Sequence, residues 1–288
     1  MKPYRIPQLA KPYTDYDMIQ RHTELPPISD GRGHLLYIFL AGGSAAGLQS
    51  GELFTLVTSL VQLGLDTHEV IDRPDHEPGK DPMRSRQLKV LAGDYFSSWF
   101  YHLLAKSGQI EMVGILSTAI ADFNVLKANL YVKLKDMLLS ADQYLRHMVQ
   151  LNMKLFLSFT PLIEARLLEQ WERLLAEVSQ YETLLLEQRR SCGLPDAVDG
   201  FIYLWLLETA APEERELLRS RSFDLKEWNK LKLKYKCDSL LKDKLHRSVQ
   251  SIQGLLQGMN DENLASELSV LLDRFLLQNR SANAALEG

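Results

Sequence analysis

Residues that interrupt helices are gathered at a few places in this chain, and long stretches are free of them. Five of the 11 prolines fall in the first 27 residues and three more are Pro74, Pro78 and Pro82, which leaves Pro161, Pro195 and Pro212 for all of 83–288. No glycine occurs between Gly114 and Gly193. Proline removes a backbone donor and clashes with the preceding turn, and glycine raises the entropy cost of ordering. Stretches that lack both, with leucines at i, i+3 and i+4, favour long helices. Alternating β-branched runs closed by hairpin turns are absent. The expected fold class is all-α, a single large helical bundle.

Spacing predicts helices over 35–41, 50–72, 84–106, 109–131, 134–158 and 161–191, with turns at 42–47 and 193–196. Shorter helices follow at 196–210 and 212–221, and two closing helices cover 224–258 and 261–280. The domain plan is an irregular Pro-rich lead-in over 1–34 and an all-α domain over 35–288. Apolar residues make up 45% of the 288 and charged residues 24%, a balance that supports a sizeable core and excludes a disordered chain. The net charge of −4 leaves no whole-chain footprint for a polyanion, so no nucleic-acid partner is expected. Cys192 and Cys237 make neither a disulfide framework nor a zinc spacing and are expected to be buried. The opening MKPYRIPQLAKPY has no signal-like apolar stretch, and the run 35–48 is too short to span a bilayer. A cytoplasmic, soluble protein is expected.

Two helices carry the chemistry. Along 50–72, Leu53, Leu56, Val57, Leu60, Val61, Gly64 and Ile71 form one stripe, and His68 lies on it. His68 and Asp72 are four apart and Glu69 and Asp72 three apart, so Asp72 can meet either neighbour. By spacing alone, the plainer reading is a solvated helix end with a local His68–Asp72 pair. HExxD is not the HExxH of zinc proteases. The next helix, QLKVLAGDYFSSWFYHLL, is apolar nearly all round and is expected to be central and buried, with Asp94 the exception.

Thr67-His68-Glu69-Val70-Ile71-Asp72 and Val90-Leu91-Ala92-Gly93-Asp94-Tyr95-Phe96 together resemble the first catalytic region of the trans-prenyl diphosphate synthases. There a helix ends in HDDxxD, a basic loop follows, and the next helix opens with a VLAGDYL-type segment. LDTHEVI followed by RQLKVLAGDYFSSWFYHLL is more similar still to component 1, the small subunit of the two-component heptaprenyl diphosphate synthases of Gram-positive bacteria. The resemblance covers residues 55–130. It implies the all-α isoprenoid synthase fold and a heterodimer that elongates farnesyl diphosphate with isopentenyl diphosphate, for a menaquinone side chain. Mg²⁺ would sit on the catalytic large subunit, and proximity to a membrane would come only through the lipid product.

The departures from the catalytic pattern are equally informative. His68 and Glu69 replace the first two aspartates, and imidazole is a poor ligand for Mg²⁺, which prefers hard oxygens. Only Asp72 is kept. No two of the 18 aspartates are adjacent, so the second cluster is missing, and Asp196 and Asp199 lack the acid pair expected before them. The paired arginines after the first cluster are absent, although Arg73, Arg84 and Arg86 are nearby, and Val125-Leu126-Lys127 stands where an acidic EGE-type signature is expected. The resemblance therefore implies a regulatory subunit with no catalytic residue and no metal of its own. His68, Glu69 and Asp72 would form a degenerate motif, with Arg84, Arg86 and Asp94 as diphosphate or structural contacts. The alternative is a helical protein that binds a prenyl lipid or prenyl diphosphate in a degenerate cavity.

Two further signals have plain readings. The run 42–47 lacks the GK[ST] ending of a phosphate loop and reads as a helix connection. The segment 215–247 carries 11 Lys/Arg against 5 Asp/Glu. It reads as a solvated face, because Trp228, Leu231, Tyr235, Leu241, Leu245, Val249 and Ile252 form a packed stripe on the other side; an acidic partner and anionic lipid both remain open.

Overall fold

The structure is a computed structural model that describes residues 3–28, 30–41, 45–72, 81–259 and 261–287. These residues form thirteen α-helices and no strand. In order they are α1 (Ile6–Thr14), α2 (Asp17–His22), α3 (Asp30–Ala41), α4 (Ala45–Glu69), α5 (Pro82–Lys106) and α6 (Ile110–Lys135). Then follow α7 (Ala141–Leu157), α8 (Leu168–Arg190), α9 (Phe201–Thr209), α10 (Pro212–Arg219), α11 (Leu225–Lys234), α12 (Cys237–Gln257) and α13 (Glu262–Glu287). Two 3-10 turns, Thr160–Leu162 and Ala165–Leu167, stand where Pro161 delays the start of α8. The expected turn at 42–47 and the loop after Asp72 fall partly outside the described residues, and Arg73 wholly so. Among the described residues, no helix is long and apolar enough to cross a membrane.

Contacts gather into two compact units, Met1–Ile120 with Leu155–Leu168, and Ala121–Lys154 with Glu169–Gly288. In the first unit α4 is the buried axis. From Phe54 to Leu65 every residue is buried, whichever way it points around the helix. The central helix is therefore α4 and not α5. Only part of α5 is covered: Ala92, Phe96, Phe100 and Leu104 face inward, while Met83, Val90, Leu91 and Tyr101 are exposed. Apolarity all round marked α5 as a helix without a polar face, which a buried helix and a helix awaiting a partner share.

The lead-in is not irregular. It forms α1 and α2, and α3 already starts at Asp30. Ile6 and Ala10 pack with Leu56 and Leu60 of α4, supported by Leu9 and Tyr13. Ile19 packs with Leu63, Ala92 and Phe96. Residues 6, 9, 10 and 13 have helical spacing, and Pro7 sits in the first turn, where its missing donor costs nothing. Pro12 does lie inside α1, which helps to explain why the helix ends after nine residues.

α4 and α5 approach unusually closely. A Cβ on Gly64 would lie 2.7 Å from the Gly93 carbonyl oxygen and 3.1 Å from Ser97. A Cβ on Gly93 would lie 2.6 Å from the His68 ring. Ser97 donates to the Gly93 carbonyl at 2.8 Å, capping the same crossing. Glycine is thus kept inside two helices despite its propensity cost of about 1 kcal/mol each.

In the second unit α8 supplies Trp171, Leu174, Leu175, Val178, Tyr181 and Leu184 to the core. The Tyr181 hydroxyl donates to the Phe275 carbonyl of α13 at 2.7 Å, and the Trp228 indole donates to the Ser191 carbonyl at 2.8 Å. Residues 224–258 form two helices rather than one, because Lys236 adopts a left-handed φ of 51° between them. The stripe from Trp228 to Ile252 nevertheless faces inward, with Tyr235 half-buried. Its one spacing of six, from Tyr235 to Leu241, is where the helix breaks. Cys237 is buried and its thiol is pushed up to about 12, mainly by burial. Cys192, expected to be buried, is exposed in the turn after α8.

Gly64→Ala should destabilise by about 1–3 kcal/mol, because the new methyl meets backbone and cannot be relieved by a rotamer change. Gly93→Ala meets only a side chain, so its cost should largely disappear in the Gly93→Ala/His68→Ala double variant. Denaturant melts of the single and double variants measure this coupling; a Gly64→Ala protein more stable than the parent would contradict the close approach.

Candidate functional site

The end of α4 folds onto α5. The helix stops at Glu69 and residues 70–72 form a turn, so Asp72 is no longer on the helical face of His68. The expected His68–Asp72 pair is not formed. The His68 ring lies over Gly93, with Nε2 3.4 Å from Asp94 Oδ1. Asp72 reaches across to Arg86, Oδ1 to Nη2 2.9 Å. Gln62 donates to Asp66 one turn earlier, at 2.8 Å. Glu69 and Arg84 are exposed. Of the six sequence-predicted residues, the structure pairs His68 with Asp94 and Asp72 with Arg86.

This arrangement does not fit Mg²⁺. The ion wants several oxygen ligands converging in near-octahedral geometry. Here the imidazole lies against backbone and the one retained aspartate is bound to a guanidinium. Among the described residues no three His, Cys, Asp or Glu side chains gather to hold an ion.

In the second unit the carboxylates near the expected second cluster are also taken up. Both oxygens of Asp199 accept from Arg221, at 2.9 and 3.0 Å. Glu187, at the end of α8, accepts from the Tyr144 hydroxyl at 2.7 Å and from the Phe201 backbone amide at 2.7 Å. Arg190 donates to Tyr144 and to the carbonyls of Asp196 and Val198. Burial, and then the adjacent Glu187 charge, hold the Tyr144 phenol well above its ordinary range, so it remains a donor. The network ties α7, α8 and the turn before α9 together. It satisfies buried charge, which is structural work.

The family model for heptaprenyl diphosphate synthase (HEPPP synthase) subunit 1 matches residues 16–194, more than half of the chain. The chain belongs to this family. It is 36% identical over 91 residues to heptaprenyl diphosphate synthase component 1 of Geobacillus stearothermophilus, a match covering 32% of this chain and 39% of that relative. Its fold is similar to that of a decaprenyl diphosphate synthase from Rhodobacter capsulatus, with a TM-score of 0.68 at 12% identity over 95% of this chain and 98% of the other. A heptaprenyl diphosphate synthase from Staphylococcus aureus gives a TM-score of 0.68 at 12% identity, over 96% and 92% of the two chains. At such identities the likeness is one of fold, and the fold is the all-α isoprenoid synthase fold.

Beside the motif positions, the structure has exposed apolar faces that sequence reading missed in part. On α5, Leu91 is 63% exposed beside Val90, with Met83 and Tyr101 along the same face. From Ala121 to Val132 only Phe123 and Leu130 of α6 are buried, and Tyr131 is 69% exposed. Ala121, Val125, Ala128 and Val132 form an exposed stripe at i, i+4, i+7 and i+11. That periodicity was visible in the sequence; its exposure was not. Reading α4 for its apolar stripe also passed over Thr55, Ser59 and Gln62, a buried polar row at i, i+4 and i+7.

The two carboxylate sites should respond differently to substitution. Asp72→Asn removes an exposed pair and should cost less than about 1 kcal/mol. Glu187→Ala leaves Tyr144 and the Phe201 amide without their buried acceptor and Arg190 without its paired charge, and should cost about 3–5 kcal/mol. Thermal melts of the two variants side by side check the contrast.

Proposed function

We propose that this chain is the non-catalytic, regulatory subunit of a heterodimeric heptaprenyl diphosphate synthase, a trans-prenyltransferase. The partner would be a catalytic large subunit carrying both Asp-rich clusters and the Mg²⁺. The complex would elongate farnesyl diphosphate with isopentenyl diphosphate, for a menaquinone side chain made in the cytoplasm. The observation that carries this reading is a pairing of opposites. The motif positions are closed onto arginine and glycine, while α5 and α6 hold apolar side chains out to solvent. A chain that had lost its chemistry but kept a role in assembly would look like this. The curated relative bears the name component 1, which supports a second component.

The uncovered apolar side chains that a partner would meet include those of α5 and those of α6. Among the described residues, α7 presents no large exposed apolar side chain. Covering such faces is what an obligate interface does, and descendants of a homodimer inherit a two-fold-like geometry.

The isolated chain, supplied with farnesyl and isopentenyl diphosphates and Mg²⁺, should form no product. Co-expression with a chain that carries two DDxxD clusters should yield heptaprenyl diphosphate, read by chromatography. Chelator-sensitive turnover by the isolated chain would overturn the reading. Leu91→Glu and Val132→Asp should each weaken the complex on gel filtration while leaving the chain helical and its melting temperature nearly unchanged. An intact complex in both would place the interface elsewhere.

A further inference from the structure

In the second unit a cavity of about 200 Å³ opens between α7, α8 and α12, lined by Asp142, Leu145, Arg146, Gln180, Lys244 and Arg247. It is too small for a drug-sized ligand or a prenyl chain and suits a small ion or a single head group. Three cations and one carboxylate line it. The carboxylate is already committed: Lys244 Nζ lies 2.9 Å from Asp142 Oδ1, and the same ammonium sits 5.2 Å from the centre of the Phe201 ring. Lys244 is thereby held in place. Neither Arg146 nor Arg247 has an ion-pair partner among the described residues, and both line the cavity as exposed side chains.

We propose that this cavity binds a phosphate or diphosphate group. Guanidinium forks match tetrahedral phosphoryl oxygens in bidentate fashion, and two of them with a neighbouring ammonium favour a multiply charged anion over a single carboxylate. The Gln180 amide adds a neutral donor. All the lining residues are on helices, so the site is presented by rigid elements and needs no loop to order. The site also explains part of the basic bias of 215–247: Lys244 and Arg247 are three apart on α12 and both line it. It is separate from the degenerate motif and does not depend on the assembly proposed above, because the isolated chain is what would bind.

Calorimetric titration of the purified full chain at low salt, with inorganic diphosphate and separately with isopentenyl diphosphate, tests this. One saturable site is expected for each ligand, because the arginines hold the charged group and not the chain. The Arg146→Gln/Arg247→Gln variant should bind diphosphate about tenfold more weakly or worse, the loss expected from removing a charge-assisted contact. Both positions are exposed, so the variant should keep its helicity, and circular dichroism checks that. Arg86→Gln, at the degenerate motif, should bind like the parent. No binding by the parent at millimolar diphosphate, undiminished binding by the double variant, or loss of binding in Arg86→Gln instead would each overturn the proposal.

Discussion

The close passage of α4 against α5 is the constraint on which the first unit depends. Gly64 and Gly93 let the two helices come together at a separation no Cβ would permit, and the Ser97 hydroxyl closes onto the Gly93 carbonyl at the same crossing. The shared surface then forms the seat for α1 and α2 through Leu56, Leu60, Leu63 and Phe96. The same contact determines what happens at the end of α4. His68 is laid over Gly93 rather than turned toward a ligand, and α4 stops one residue later. The helix crossing and the position of the His68 ring share one cause.

The charged residues show a second regularity. Two carboxylates in the motif regions are held by arginines from another element: Asp72 by Arg86 and Asp199 by Arg221. Such exposed pairs add little stability, but each occupies lone pairs that a metal would need. The buried Tyr144–Glu187–Arg190 network differs in kind. There every group is desolvated, so removing one member leaves the others unsatisfied, and the network acts as a fastening for the turn between α8 and α9. The two kinds of contact are distinguished by burial: Glu187 is almost wholly covered, whereas Asp72 is largely exposed.

The apolar residues on α5 and on the second half of α6 lie on long, regular helices and not on loops, which makes them well-ordered surfaces for another protein. A family named for a subunit, a synthase fold whose first motif is closed, and helices with uncovered apolar stripes are mutually consistent. The proposed role, assembly in place of chemistry, rests on these three together.

Local sequence determined the helical class and most helix positions. These follow from spacing, breakers and the identity of neighbours in the chain: α4 and α5 were legible from their periodicity, and RQLKVLAGDYF marked the family's region. The tertiary structure decided which helix is central, where α4 ends, and what His68 and Asp72 touch. An apolar helix reads the same in sequence whether a core or a partner is to cover it, so α5 was expected inside and is half open, while α4, with Thr55, Ser59 and Gln62 on it, is buried all round. The lead-in was misread for a related reason. Its prolines signal a break locally, but burial of Ile6, Ala10 and Ile19 against α4 and α5 favours two short helices that could hardly stand alone. Partners such as Arg86 for Asp72 lie on a different helix, and their meeting depends on how closely two glycines allow those helices to approach.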